Sequence, residues 1–432
     1  MDRDADSHAK QRNKLAFLFR NAASLVSTTV VTSGLGFVFW VVAARFFPAS
    51  AVGEAAAGLA AMNVIAPFTV LGFSTTLVAQ LPTMSGRRAQ LVSSAALICG
   101  LAGGLVAFVC TLVLPASFLG ITEVGHQAWA TALFAAGVAA QSIGNMLDTA
   151  LLSVLGGGIQ LSRNIIHSVV KLVLLAVFAL TLSWVGSLSI YASWFVANVV
   201  SITAVGVWLL HRQRVSIRQV LPTFSNLRGL HFEAARHHAL NLSLQVPYFA
   251  MPIVANVTLG SEQAGYLYAV WSLAGFVFML PLALSSALFA SGARDSSTIL
   301  KEFAVTMRYS MLACLVANIL ILPFGGLALR IFGAAYADNG RLALIILCLG
   351  GFGVVVRDHH VAMARILGTV GREALLISAL SVLELGGAAI GALRGGLTGL
   401  TLGWVAAITV EVVVLGPMVW RAYRGRLEVP AQ

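Results

Sequence analysis

Charge is scarce in this chain: Asp, Glu, Lys and Arg make up only 10% of its 432 residues. A soluble domain needs a charged fraction of roughly 25%, so a water-exposed globular fold is excluded. With 59% hydrophobic residues, the composition is that of a polytopic membrane protein. The ten-residue alternating segments of a β-barrel are missing too. Cysteine is sparse, and Cys99, Cys110, Cys314 and Cys348 each sit inside an apolar run without metal-ligand spacing, so they read as small core residues and no cofactor or metal is called for. The opening stretch MDRDADSHAKQRNK is too acidic and polar for a signal-peptide n-region, and no convincing cleavage site follows, so the first apolar run is expected to be retained. Outward connections are short, a few residues near Gly186 and roughly a dozen around Glu123 and Asp338, which leaves no room for an extracytoplasmic catalytic domain. No acid, base and nucleophile converge. The chain therefore reads as a transporter and not as an enzyme.

What it has in abundance is apolar runs. A helical span needs roughly 20 mostly apolar residues, and about twelve fit, at 15–44, 52–81, 91–114, 128–155, 165–185, 189–210, 239–259, 264–290, 303–327, 342–364, 374–392 and 397–420. The basic interval from His211 to His238, with Arg212, Arg214, Arg218, Arg228 and Arg236, separates six runs from six. The expected layout is a tail over 1–14, a first lobe over 15–210, a linker over 211–238, a second lobe over 239–420 and a tail over 421–432. With both termini and the linker cytoplasmic, 23 of the 27 Lys and Arg fall inside, leaving Arg45, Arg330, Arg341 and Arg394 outside, as the positive-inside rule requires. The net charge of +11 thus reports orientation in a cell inner membrane and not nucleic-acid binding.

The lobes read as copies. Gly53 and Gly265 are 212 residues apart, as are Ala43 and Ala255, Ser74 and Ser286, and the Leu155-Gly156 and Leu367-Gly368 pairs that each end an even-numbered run. Six spans per copy predicts a pseudo-two-fold along the membrane normal with a cavity between lobes.

Polar residues inside spans are costly in lipid and face a cavity or a neighbouring helix. Asn21, Ser24, Thr28 and Thr32 form one stripe, and Asn241, Gln245, Tyr248 and Asn256 form its counterpart in span seven. Span four carries Gln141, Asn145 and Asp148; span five carries Asn164, His167, Ser168 and Lys171. Interhelical hydrogen bonding explains any single one of these, whereas the whole set fits a wet central cavity. Lys171 lies deep in its span, with Arg163 at that helix's mouth. An ammonium there needs an anion, either Asp148 on the adjacent span or a substrate.

Span ten holds Arg357-Asp358-His359-His360. His360 stands 212 residues after Asp148, so the two are candidates for proton coupling, as are the buried acids Glu384 and Glu411. The alternative is that span ten ends early and the block is a wet helix end. Pro67, Pro247, Pro252 and Pro281 interrupt spans two, seven and eight, fitting either a bending gate or static kinks.

The run ALNLSLQVPYFAMPIVANVTLGSEQAGYLYAVWSLAGFVFMLPLALSSALFASGARD resembles the seventh and eighth helices of bacterial polysaccharide and O-antigen flippases of the multidrug/oligosaccharidyl-lipid/polysaccharide exporter superfamily. GFVFWVVAARFFPASAVGEAAA resembles the first hairpin of that group, and the SRN-x6-K pattern ending at Lys171 resembles its fifth helix. The resemblance implies two six-helix bundles forming a V, alternating access, and export of a polyprenyl-pyrophosphate-linked oligosaccharide for cell-surface polysaccharide assembly. It maps a cationic cavity onto Lys171, with Arg163, Arg365 and Arg357 near the inner mouth. The related lipid II flippases have fourteen helices and an Arg-Asp couple in the first helix. This chain has Phe39 and Trp40 near that place, so lipid II is a poor fit.

The expected partners are thus a lipid-linked oligosaccharide, membrane lipid and polysaccharide assembly proteins. Cations replace the water of the pyrophosphate, and Asn145, Asn241, Gln245 and Tyr248 suit sugar hydroxyls. The alternative is a proton- or sodium-coupled multidrug antiporter of the same fold, using Asp148, Glu384 or Glu411 to hold an organic cation.

Overall fold

A computed structural model describes residues 31–70, 73, 77, 81, 88–181, 186–212, 221–222, 235–292 and 299–427. Asn21, Ser24, Thr28 and most of the basic linker (213–220 and 223–234) lie outside these residues. Within them the chain is helix after helix, with no strand. That is the outcome low water access dictates, because each backbone N–H and C=O must find its partner inside its own segment.

Ten of the described helices are long and apolar enough to cross a membrane. In chain order they are α2 (Ala49–Thr69), α3 (Arg88–Val113), α4 (Ala128–Leu155), α5 (Gly157–Thr181), α6 (Ser187–Arg212), α7 (Ala235–Leu259), α8 (Ser261–Gly292), α9 (Ile299–Arg330), α10 (Ala334–Ile366) and a last helix over Val370–Tyr423. Preceding them, α1 (Val31–Phe46) is the described part of a further apolar run. The last helix contains a break, since Gly395 and Gly396 leave helical geometry and Gly396 has φ 61, a conformation that glycine adopts without steric cost. We denote its halves α11 (370–394) and α12 (397–423). Twelve apolar helical runs result among the described residues, as the hydropathy pattern predicts.

Several helices outrun their apolar cores. α5 starts at Gly157 where hydropathy suggests 165, and α10 starts at Ala334 where it suggests 342. Gln160, Arg163 and Asn164 in one, and Asp338, Asn339 and Arg341 in the other, lower the hydropathy without breaking backbone hydrogen bonding. α10 also runs unbroken through Arg357–His360 to Ile366, so that block is helical and not a frayed end. Pro247 and Pro252 lie inside α7.

The 212-residue spacing is realised in the helices. α2 begins at Ala49 and α8 at Ser261, and the caps of α4 and α10 contain the positive-φ glycines Gly156 (φ 85) and Gly368 (φ 74). Each pair is separated by that same interval.

By packing, the chain divides into two compact units. The first holds Ile65–Val113 and Glu123–Ala234 with the chain up to Ala43; the second comprises Ala44–Val64, Leu114–Thr122 and everything from Ala235 onward. The first part of α2 belongs with α8 because glycine permits it: a Cβ on Gly53 would overlap the Ser261 carbonyl, and one on Gly265 the Ala49 carbonyl. In the same unit, α11 and α12 form a hairpin closed by Gly387 against Gly403 and Gly391 against Gly399, where any added Cβ meets opposing backbone. Small residues at a helix crossing let backbones touch, which is how helices gain packing energy in lipid. Gly350 and Gly353 likewise admit Trp404 and Ile408 of α12 against α10.

Candidate functional site

In the first unit the polar residues of α4, α5 and α6 form one connected relay. The guanidinium of Arg163, only 4% exposed, pairs with Asp148 at 2.5 Å and donates from Nη2 to Asn198 Oδ1 at 3.1 Å. Asn198 Nδ2 donates to Gln141 Oε1 at 2.6 Å, and Gln141 Nε2 to Asn145 Oδ1 at 3.1 Å. Asn164 Nδ2 adds a bond to Asp148 Oδ2 at 3.3 Å. Gly144 makes the room, because a Cβ there would stand 2.6 Å from Arg163 Nη2.

Asp148 therefore belongs to Arg163, and the expected alternative of an Asp148–Lys171 pair is corrected. The physical reason is reach and valence. Arg163 offers a planar fork that satisfies a carboxylate and an amide together, about two turns past the glycine at the α4–α5 break.

Lys171 is left with ring faces. It is 4% exposed, and its Nζ sits 3.7 Å from the centroid of the Trp194 ring and 5.3 Å from that of Phe39. Trp194 is itself held edge-on by Phe39 at 5.7 Å and His167 at 5.3 Å. Among the described residues no carboxylate lies within ion-pairing distance of Lys171. Aromatic faces attract a cation but do not neutralise it, and an ammonium in a low-dielectric site without a counter-ion is costly. The arrangement is a buried amino group seated on two aromatic faces, with no described carboxylate beside it.

The second unit centres on Arg357 of α10. Its Nη1 donates to Glu384 Oε1 of α11 at 2.9 Å and lies 3.8 Å from Glu411 Oε2 of α12, while its Nε is 3.8 Å from Asp358 Oδ1. Glu384 also accepts from Trp404 Nε1 at 2.7 Å. Arg357 and Glu384 are thus bound to each other rather than held apart for separate roles. Arg365 donates to Asn241 Oδ1 at 2.8 Å, on the side of α7 where Gln245 and Tyr248 are also exposed.

His360 does not meet Asp148. Its Nε2 sits 2.8 Å from Glu373 Oε2 of α11. Each copy of the repeat therefore ties its fourth helix to its fifth by an acid–base pair, with the order exchanged: acid on α4 and base on α5, base on α10 and acid on α11. Glu373, Trp194, Trp271 and Trp404 were not singled out by sequence. Mid-span tryptophan, away from the interfaces where it normally gathers, was the available signal.

No protein-family model and no curated protein sequence matches the chain. Solved structures do. An inward-facing multidrug resistance MATE family transporter of the MOP superfamily aligns with a TM-score of 0.72 at 15% identity, covering 94% of this chain and 100% of that one. An outward-facing structure described in the same terms gives 0.65 at 15%, covering 96% of each. A MOP superfamily transporter from Pyrococcus furiosus, whose binding pocket is described as having reversed polarity that suggests a different function, gives 0.65 at 16%, also covering 96% of each. At this identity the likeness is one of fold: the chain has the all-helical, multi-pass fold of these membrane transporters.

Proposed function

We propose that this protein flips a polyprenyl-pyrophosphate-linked oligosaccharide from the cytoplasmic to the outer leaflet by alternating access, with Lys171 gripping the pyrophosphate. The observation that carries the reading is the buried Lys171 side chain on the Trp194 ring, while Asp148, the acid on the adjacent span, is committed to Arg163. A site for organic cations requires the opposite sign. A pyrophosphate supplies the missing anion and accepts charge-assisted hydrogen bonds from the ammonium, while the lipid tail stays in the bilayer.

Release follows from the same chemistry, because desolvation by the ring faces makes the ammonium's grip sensitive to water entering the site. Opening toward the outer side hydrates both charges and lets the headgroup go. Arg365 with Asn241, Gln245 and Tyr248 provides exposed polar contacts suited to sugar hydroxyls.

A second reading, export of organic cations, is favoured by one feature: Glu384 and Glu411 share a single guanidinium. It places the ligand in the second unit. Leaflet-resolved measurement of lipid-linked oligosaccharide in cells with and without the protein separates the two. Build-up on the cytoplasmic leaflet, relieved by the wild type, supports flipping. No build-up, together with drug efflux that depends on Glu384 and Glu411, supports the antiporter.

A further inference from the structure

The exposed faces of α9 and α12 change character together at the end of the second unit where α12 finishes. Along α12 the outward side chains run from Val413 to Trp420 to Arg424, and along α9, followed back toward its start, from Leu312 to Tyr309 and Arg308; all six are exposed. Apolar, then aromatic, then cationic is the order of a bilayer's hydrocarbon, boundary and headgroup layers.

The cations at this level are set in place by aromatic rings and by the helix end. Arg308 Nε donates to Tyr423 Oη at 2.9 Å, with its Cζ 5.6 Å from that ring's centroid. Tyr423 stacks with Trp420 at 6.1 Å, and Arg424 Cζ lies 4.4 Å from the Trp420 centroid. Gly425, at φ 66, turns the chain so that Arg426 N–H donates to the Arg421 carbonyl at 2.9 Å and Gly425 N–H to the Ala422 carbonyl at 3.0 Å. This closure brings Arg426 back toward Arg421. It also satisfies these carbonyls with backbone donors, so the guanidiniums are not spent on them. Among the described residues none of Arg308, Arg421, Arg424 and Arg426 pairs with a carboxylate.

We propose that this end of α9 and α12 is a docking surface for anionic phospholipid headgroups. A guanidinium resting on a ring face keeps its N–H edge free, and that fork fits a phosphate bidentately. Four cations without an acid select a headgroup that is net negative, because a zwitterionic one sets its own ammonium against them. The surface is separate from the Lys171 site and does not depend on which cargo is carried.

Full-length protein in neutral detergent is titrated with phosphatidylglycerol and with phosphatidylcholine of the same chains, and bound lipid is read by native mass spectrometry. Phosphatidylglycerol should bind in preference. Arg424→Gln, which breaks no hydrogen bond among the described residues, should weaken it about fivefold, and Arg308→Gln with Arg424→Gln about thirtyfold. Lys301→Ala with Arg372→Ala removes as much charge from the starts of α9 and α11 and should leave the affinity near wild type. Equal binding of the two lipids, wild-type affinity in Arg424→Gln, or an equal loss in the Lys301 and Arg372 control overturns the docking surface. Displacement of the lipid by inorganic phosphate overturns it too, since it would mark a site for a soluble anion.

Discussion

Arg163 and Asp148 are joined across α5 and α4 at 2.5 Å, and that bond leaves Lys171, two turns further along α5, without an acid among the described residues. Removing one partner of a buried pair strands the other charge. Asp148→Ala should therefore cost about 3–5 kcal/mol of stability, read as a lowered melting temperature of the purified protein. The double variant Asp148→Leu with Arg163→Met should recover most of the loss.

The same relationship makes Asp148 and Lys171 energetically separate. In a double-mutant cycle on transport, their coupling should fall below about 0.5 kcal/mol, whereas the Asp148/Arg163 cycle on stability should give about 0.5–3 kcal/mol. A large Asp148/Lys171 coupling would restore the pair that the side-chain geometry rejects.

The α11–α12 hairpin gives a backbone test. Gly391→Ala places a methyl into the Gly399 carbonyl and should cost about 1–3 kcal/mol. Gly386→Ala, five residues earlier in the same helix with nothing within 4 Å of its Cβ, should leave the melting temperature unchanged or raise it.

Around Arg357, the two glutamates are not equivalent. Glu384→Ala removes the acceptor for both Arg357 and Trp404 and should lower stability by about 3–5 kcal/mol. Glu411→Gln relieves an excess of carboxylate, and no hydrogen bond to either Glu411 oxygen exists among the described residues, so its effect should be small by comparison. Equal losses from the two would mean that Glu411 is as firmly bonded as Glu384.

The sequence made the large-scale plan legible. Apolar run lengths located twelve helices, and the 212-residue offset picked out Gly53 and Gly265, which the structure brings into backbone contact. Lys171 was conspicuous because a cation deep in an apolar run is expensive. Its surroundings were not legible. Whether Arg163 or Lys171 takes Asp148 depends on how sharply the chain reverses at Gly156, a dihedral that hydropathy does not encode. The match of His360 with Asp148 in the repeat was read as chemical kinship, but the shared feature is position: each finds its partner on the next helix. Trp194 and Trp404 blend into hydrophobic runs, and only their packing reveals what each holds.

The most direct measurement is flipping of a polyprenyl-pyrophosphate-linked oligosaccharide by wild type, Lys171→Arg and Lys171→Ala, at matched membrane levels. Losing a charge-assisted contact worth about 1.5–3 kcal/mol should weaken substrate binding by about ten- to a hundredfold. Lys171→Ala should therefore fail to clear the cytoplasmic leaflet, while Lys171→Arg keeps part of the activity. Wild-type flipping by Lys171→Ala would contradict the anion-gripping role and leave the buried ammonium without a function.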